Sequence, residues 1–218
     1  MERIGDAFVW PFRDPDWISK ILLMGLILLI PIVGGINGLG WMLAAIDRLR
    51  AGEERLPPAN FDYIVRGFHL FVVYLVYYLC LAAITAVVYV PAIVILSQQG
   101  HDSANGFLIA IGIALLLLTV SIVTIGGLAL TFAMPAIVLA VDHGGIGAGL
   151  RIGEIARRAR ASLINTLIAG LMLIAAGLVG QLGAVLCVIG VVFTSAYALA
   201  MQAWIIRSYE VGNATSTT

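Results

Sequence analysis

The sequence predicts an all-α, polytopic transmembrane helical bundle, and three observations carry the prediction. Four stretches, Ile21–Ile46, Leu70–Leu96, Gly106–Val141 and Ala161–Ile206, contain no charged side chain. At 1.5 Å of rise per residue even the shortest would be about 39 Å long as a helix, against roughly 30 Å of hydrocarbon in a bilayer. The connections between them gather the arginines. The composition agrees: 61% of positions are hydrophobic and 11% charged, where soluble domains average about 25% charged, and the mean hydropathy is +1.06. A chain of 218 residues cannot hide that much apolar surface from water, so lipid must solvate part of it. The lipid bilayer is therefore the first expected partner, and a formal net charge of zero argues against nucleic acid.

Residues 1–20 read as an interfacial amphipathic tail. Trp10, Phe12 and Trp17 stand among Arg3, Asp6, Arg13, Asp14 and Asp16, a mixture that suits the headgroup layer. The opening Met-Glu-Arg-Ile-Gly-Asp lacks the basic and apolar regions of a secretory signal, so the first apolar stretch is expected to be retained. Pro11 and Pro15 interrupt the tail, and Asp16 stands where it would cap the first helix. Ile21–Ile46 is too long for one comfortable span and too short for two ordinary ones. Pro31 and the cluster Gly34-Gly35-Ile36-Asn37-Gly38 break helices. The stretch is either one kinked, tilted helix or a tight broken pair turning near Gly34–Gly38.

Loop 47–66 follows, with Pro57-Pro58 setting a stiff turn and Asn60 or Asp62 placed to cap the next helix. Leu70–Leu96 is a span containing Pro91. The polar connection 97–105 carries no Lys or Arg. Gly106–Val141 is the next span, with Gly126-Gly127 and Pro135 as kink points. Residues 146–163 have helical spacing of Ile146, Leu150, Ile155, Ala159 and Leu163, with Arg151, Glu154, Arg157 and Arg158 on other faces. Ala161–Ile206 would be about 69 Å long as a helix. It must be two spans, turning around Gly177–Gly183. The predicted organisation is thus a tail (1–20), a single transmembrane domain (21–207) and a polar C-terminal tail (208–218).

The twelve Lys and Arg residues orient these spans. Arg48, Arg50, Arg55 and Arg66 lie in 47–66, and Arg151, Arg157, Arg158 and Arg160 in 142–160; Arg207 follows the last span, and Arg3, Arg13 and Lys20 precede the first. By the positive-inside rule the two arginine-rich connections and the C-terminus are cytoplasmic. If Ile21–Ile46 turns back on itself, every cation lies inside and there are six membrane helices, the preferred reading; if it crosses once, there are five spans. The expected location is the cell (inner) membrane with both termini cytoplasmic.

Chemistry is sparse. The apolar runs hold no Asp, Glu, Lys, Arg or His, the residues that mark proton relays and ion paths. Cys80 and Cys187 lack metal or redox spacing, and His69, His101 and His143 stand singly, so no metal, cofactor or catalytic residue is assigned. Asn213-Ala214-Thr215 has the glycosylation pattern, which a cytoplasmic tail would hide. Asn37, Thr124 and Gln181 could line a polar path, although polar residues in spans more often join helices or bond their own backbone. Arg151, Arg157, Arg158 and Arg160 could meet anionic headgroups of the inner leaflet, each worth about 1 kcal/mol. Glu154 and Arg158 form an i,i+4 pair. Gly34 with Gly38, and Gly177, Gly180 and Gly183, are read as sites of close helix packing within the chain rather than a dimer seam. Ala45-Ile46-Asp47 with Arg66 is faintly echoed by Ala140-Val141-Asp142 with Arg160.

Asp14-Pro15-Asp16-Trp17, Lys20-Ile21-Leu22, Leu29-Ile30-Pro31, Arg48-Leu49-Arg50-Ala51-Gly52-Glu53-Glu54-Arg55-Leu56-Pro57 and Arg66-Gly67-Phe68 together resemble a prokaryotic multi-spanning membrane family. That family is known only as domain of unknown function four-thousand-and-thirteen. Gly147–Arg151 with Arg157–Ala161 is similar, more distantly, to the membrane domain attached to some glycerophosphodiester phosphodiesterases, which implies six helices with both ends inside. Neither resemblance supplies catalytic residues. The expected role is a non-enzymatic membrane scaffold or partner subunit, binding other membrane subunits or its own copies. The alternative is a transporter or channel for a small neutral or lipophilic solute.

Overall fold

The structure, a computed structural model, describes residues 4–99, 105–185 and 187–215. His101 and most of the connection 97–105 lie outside them. Two short 3₁₀ helices, Ile4–Phe8 and Trp10–Arg13, are followed by α1 (Trp17–Leu28), α2 (Val33–Arg50), α3 (Ile64–Ser97), α4 (Gly106–Gly149), α5 (Ile152–Ala161), α6 (Leu163–Val185) and α7 (Cys187–Thr215). No strand occurs among the described residues. The helices α3, α4 and α6 are long and apolar enough to cross a membrane. The protein is an all-α membrane protein, as its composition requires. It divides into two compact units, Met1–Val73 with Thr131–Thr218, and Tyr74–Leu130.

In the first unit the stretch Ile21–Ile46 doubles back. The turn is at Leu29–Ile32 and not at Gly34–Gly38. Pro31 cannot donate to a carbonyl one turn earlier, and its ring blocks a continuing helix. The chain reverses through a γ-turn in which Val33 N–H donates to the Pro31 carbonyl at 2.7 Å, centred on Ile32 at φ 63°, ψ −61°. That conformation is rare and strained for a β-branched residue. The glycines instead sit inside α2 and let helices approach. A Cβ on Gly34 would fall 2.1 Å from the Ile27 carbonyl oxygen, and one on Gly38 2.9 Å from a Leu199 methyl. Asp16 occupies the N-cap position of α1, but its side chain makes no capping bond.

The centre of this unit is α7, which packs against α1, α2, α6 and the 3₁₀ segment. Small residues Ala196, Ala198, Ala200 and Ala203 are buried along it, together with Met201, Trp204 and Tyr209. The N-terminal segment is folded onto α7. Trp10 is fully buried, donates from Nε1 to the Ala200 carbonyl at 3.1 Å and stacks on Trp204 at 5.8 Å. Tyr197 donates its hydroxyl proton to the Phe8 carbonyl at 2.5 Å. Val9 and Ile18 stay exposed, and Phe12, partly exposed, packs its ring against Tyr197 of α7 at 5.5 Å. At the far end, α7 runs through the predicted polar tail to Thr215, because Tyr209 is buried and Asn213 accepts a hydrogen bond from Asn165 of α6 at 3.2 Å.

Two further boundaries differ from expectation. Gly177, Gly180 and Gly183 are helical in α6, which reaches Val185; Gly183 is where α7 approaches, a Cβ there falling 2.0 Å from Thr194 Oγ1. In α4 the break is at Gly145 (φ 66°), while Pro135 and Gly126-Gly127 stay within the helix. The amphipathic segment 146–163 is consequently split. Ile146 lies in the last turn of α4, Leu163 begins α6, and of the five apolar positions only Ile155 is buried. In the second unit the two helical segments run antiparallel, with Gly112 against Leu96 and Gly126 against Leu81.

The α2 and α3 backbones approach closely in the first unit, where a Cβ on Gly67 would lie 1.8 Å from the Ile36 carbonyl oxygen and 2.7 Å from Gly40 N. Gly67→Ala should force these helices apart, lowering stability by about 1–3 kcal/mol and the thermal unfolding midpoint in detergent. Gly35→Ala, with nothing within 4 Å of the added carbon, should leave the midpoint unchanged or slightly raised.

Candidate functional site

Polar side chains gather around the loop between α2 and α3 and at one end of α2, α3, α4 and α7. The loop's backbone is irregular, so its carbonyls and amides need partners that neither helix nor sheet provides. Side chains supply them. Asp14, 1% exposed, accepts from Leu56 N–H at 2.8 Å, from Asp16 N–H at 2.9 Å and from Lys20 Nζ at 2.7 Å. Lys20 and Arg48 both donate to the Leu56 carbonyl at 3.1 Å. Trp41 Nε1 donates to the Pro57 carbonyl at 3.2 Å, the Tyr63 hydroxyl to the Pro58 carbonyl at 2.9 Å, and Asn37 Nδ2 to the Asn60 carbonyl at 2.8 Å. Arg13 joins the tail to the loop through Glu54. Burial alone would push the Asp14 carboxyl up; the bonds from Lys20, Asp16 and Leu56 outweigh burial and hold it below the usual carboxylate range.

The second cluster is an ion network. Arg50 of α2 donates to Asp142 of α4 at 2.6 Å, to both oxygens of Glu210 of α7 at 3.1 and 2.9 Å, and to Asp47 at 3.1 Å. Arg66 of α3 bridges Asp142 at 2.6 Å and Asp47. Arg207 adds a bond to Glu210 at 2.7 Å. Burial opposes the charge on Arg50, but Glu210 and Asp142 more than restore it, and its guanidinium is held more firmly protonated than usual. Glu210 is likewise kept ionised, its burial outweighed by Arg50 and Arg207. Asp142, 5% exposed, is the hub on which α2 and α3 converge.

Beside this network a cavity of about 310 Å³ is lined by residues of α4 (Ala136, Leu139, His143), of the α5–α6 corner (Arg158, Ala161, Ser162) and of α7 (Tyr209, Glu210, Asn213). Ala136, Leu139 and Ala161 give it apolar wall, and the other lining residues are polar. His143 and Arg158 are exposed; Arg158 also donates to Glu154 at 2.8 Å, the expected i,i+4 pair. The Ser162 break between α5 and α6 and the kink at Gly145 leave this space open between the three helices.

The proposed polar path is not gathered. Asn37 is fully buried, its Oδ1 without a partner, and its amide is tied to the loop. Gln181 is exposed on α6 and Thr124 is exposed on α4 in the other unit. Arg151, Arg157, Arg158 and Arg160 are all exposed on or beside α5, and of these only Arg158 lines the cavity. Among the described residues no group of three or more His, Cys, Asp or Glu could hold a metal ion. The echo of Asp47 and Asp142 has a physical meaning in Arg66, which binds both; Arg160 has no such place and is exposed. Sequence reading missed Glu210, assigned to a polar tail, and its only signal was an i,i+3 acid after Arg207 in a segment helical enough to extend α7.

A family model described as "Protein of unknown function (DUF4013)" matches residues 23–189. No curated protein and no solved structure matches the chain.

Asp142→Ala removes the buried carboxylate that the partly exposed Arg50 and Arg66 share and should lower stability by about 1–3 kcal/mol, whereas Arg207→Ala, at a more exposed pair, should remove less than about 1 kcal/mol. Chemical denaturation in detergent micelles measures both. The Asp14 carboxylate stabilises the fold above its unfolded value of about 3.9, and that contribution vanishes as pH falls through its lower folded value. The unfolding midpoint of the wild type should therefore drop in that acid range. Asp14→Asn should be less stable at neutral pH and show a shallower acid limb.

Proposed function

The chain belongs to the DUF4013 family of unknown function, whose model covers more than half of its length, and from that premise we propose a non-enzymatic membrane scaffold or partner subunit. The observation that carries the reading is the network on Asp142. The charged side chains at that end bind one another across α2, α3, α4 and α7, so they brace helix ends instead of lining a route. The buried, loop-bound Asn37 and the outward Gln181 point the same way, since a solute carrier needs such groups to converge on a hydrated space.

The proposed location is the cell (inner) membrane. Here α3, α4, α6 and α7 cross, α1 and α2 form a re-entrant pair, and α5 lies on the inner leaflet with Arg151, Arg157, Arg158 and Arg160 at its headgroups. As a helix of 12 residues, α1 is about 18 Å long and too short to cross. Its bonded turn suits hydrocarbon: the N–H groups of Leu29, Ile30, Val33 and Gly34 all donate to nearby carbonyls, and Leu29, Ile30, Ile32 and Val33 present apolar side chains outward. Arg50 and Arg66 of the first arginine-rich connection bind Asp142, where the second begins, and the tail is tied to the first, which favours both termini on the cytoplasmic face.

Two measurements test this. Single cysteines at Gly5→Cys and Ser103→Cys, probed with an impermeant maleimide in intact cells and inverted vesicles, should label from opposite sides; labelling from the same side overturns the topology. The protein purified in mild detergent should bring a defined partner or further copies of itself. A lone monomer that moves a neutral solute in proteoliposomes would establish the transporter instead.

A further inference from the structure

We infer that the cavity between α4, the α5–α6 corner and α7 is a binding site for the phosphodiester headgroup of a membrane phospholipid. Its volume of about 310 Å³ corresponds to roughly ten waters at about 30 Å³ each. That admits a phosphate with its glycerol and leaves the acyl chains outside. The lining divides by chemistry. Leu139 and Ala161 form apolar wall, while Arg158 and Ser162 bring donors; the Nδ1–H of His143 is spent on the Leu139 carbonyl at 2.7 Å, and its Nε2 lies 3.9 Å from Glu210. Arg158 uses one terminal nitrogen on Glu154, and a guanidinium carries five N–H donors, so it can still bind a phosphate oxygen.

The acid in the cavity decides which anion fits. Glu210 is held by two bonds from Arg50 and one from Arg207, so its charge is compensated from behind, yet it still repels a second negative charge. A singly charged phosphodiester suits this balance better than a doubly charged phosphomonoester. The surroundings select a lipid over a soluble ester. Ile152, Leu163 and Ile164 are exposed large apolar residues flanking the site, interleaved with exposed Arg151, Arg157 and Arg160, the pattern of a helix seated at the headgroup layer. The inference rests on α5 lying at the membrane surface. It is independent of the scaffold role, and the cysteine labelling above tests orientation separately.

The test uses the full-length protein in detergent micelles with three probes: dioleoyl phosphatidylglycerol, dioleoylglycerol with the same chains and no phosphate, and glycerol phosphate. Retained lipid is read by native mass spectrometry and stability by the unfolding midpoint. The phospholipid should be retained one per chain and raise the midpoint. Arg158→Ala should weaken retention about tenfold, the value of one charge-assisted hydrogen bond. Ala161→Trp, which fills the space from an exposed position, should do the same and remains readable if the arginine variant fails to fold. Glu154→Gln frees Arg158 and should retain lipid at least as well as wild type. Equal retention by wild type, Arg158→Ala and Ala161→Trp overturns the site. Equal retention of dioleoylglycerol overturns the phosphate recognition, and equal protection by glycerol phosphate overturns the lipid assignment.

Discussion

Backbone that is neither helical nor in contact with water has to find its hydrogen bonds from within the chain, and the first unit is built around two answers to that demand. The loop 51–63 solves it with side chains around its buried Leu56 and Pro57. Asp14, Lys20, Trp41, Arg48 and Tyr63 bind the amide or carbonyl groups of Leu56, Pro57 and Pro58, and Asn37 reaches Asn60. The turn at Leu29–Ile32 solves it with geometry, accepting a strained φ at Ile32 so that Val33 N–H has a carbonyl to bind. Orphaned donors in hydrocarbon each cost several kcal/mol. Strain at one residue costs about 1–3 kcal/mol, so the strained turn is the lower of the two penalties.

The ion network follows from the same logic at the charged end. Asp142 is nearly buried, and a carboxylate taken out of water without partners would neutralise. Two arginines from different helices keep it ionised. Arg50 simultaneously holds Glu210 of α7, so no one pair in the cluster is independent of the others. A loss at the hub should propagate to helices that do not touch it, whereas a loss at Arg207 stays local.

Much of this architecture was legible in the chain. Long uncharged runs, arginines in the connections and Pro31 together give the helices and the doubling-back of Ile21–Ile46 without any structure. The motif Asp14…Lys20…Arg48…Leu56-Pro57 names the residues that meet in the loop clamp, though periodicity gave no reason for them to meet. What stayed hidden has a common cause: it depends on which backbone lies close to which. The glycines at 34–38 read as a turn because glycine breaks isolated helices, yet here their missing Cβ atoms accommodate neighbouring residues. Residues 4–13 read as a surface tail, and only the packing surface of α7 turns Trp10 into core. The cavity is invisible in sequence because its walls come from residues 136–143, 158–162 and 209–213.

The lengths of the helices carry one more implication. The uncharged part of α4, Gly106–Val141, has 36 residues and that of α3, Leu70–Leu96, has 27, about 54 and 40 Å of rise, while α6 has 23 residues, about 34 Å. A bilayer whose hydrocarbon is roughly 30 Å thick matches α6 but not the two longer apolar stretches. Hydrophobic mismatch of this size is relieved by lean, by local thickening of the membrane, or by pushing the outer ends beyond the headgroups. Each of these deforms the surrounding lipid. The protein would then partition among membranes by thickness, a sorting property set by two helix lengths and requiring no binding partner at all.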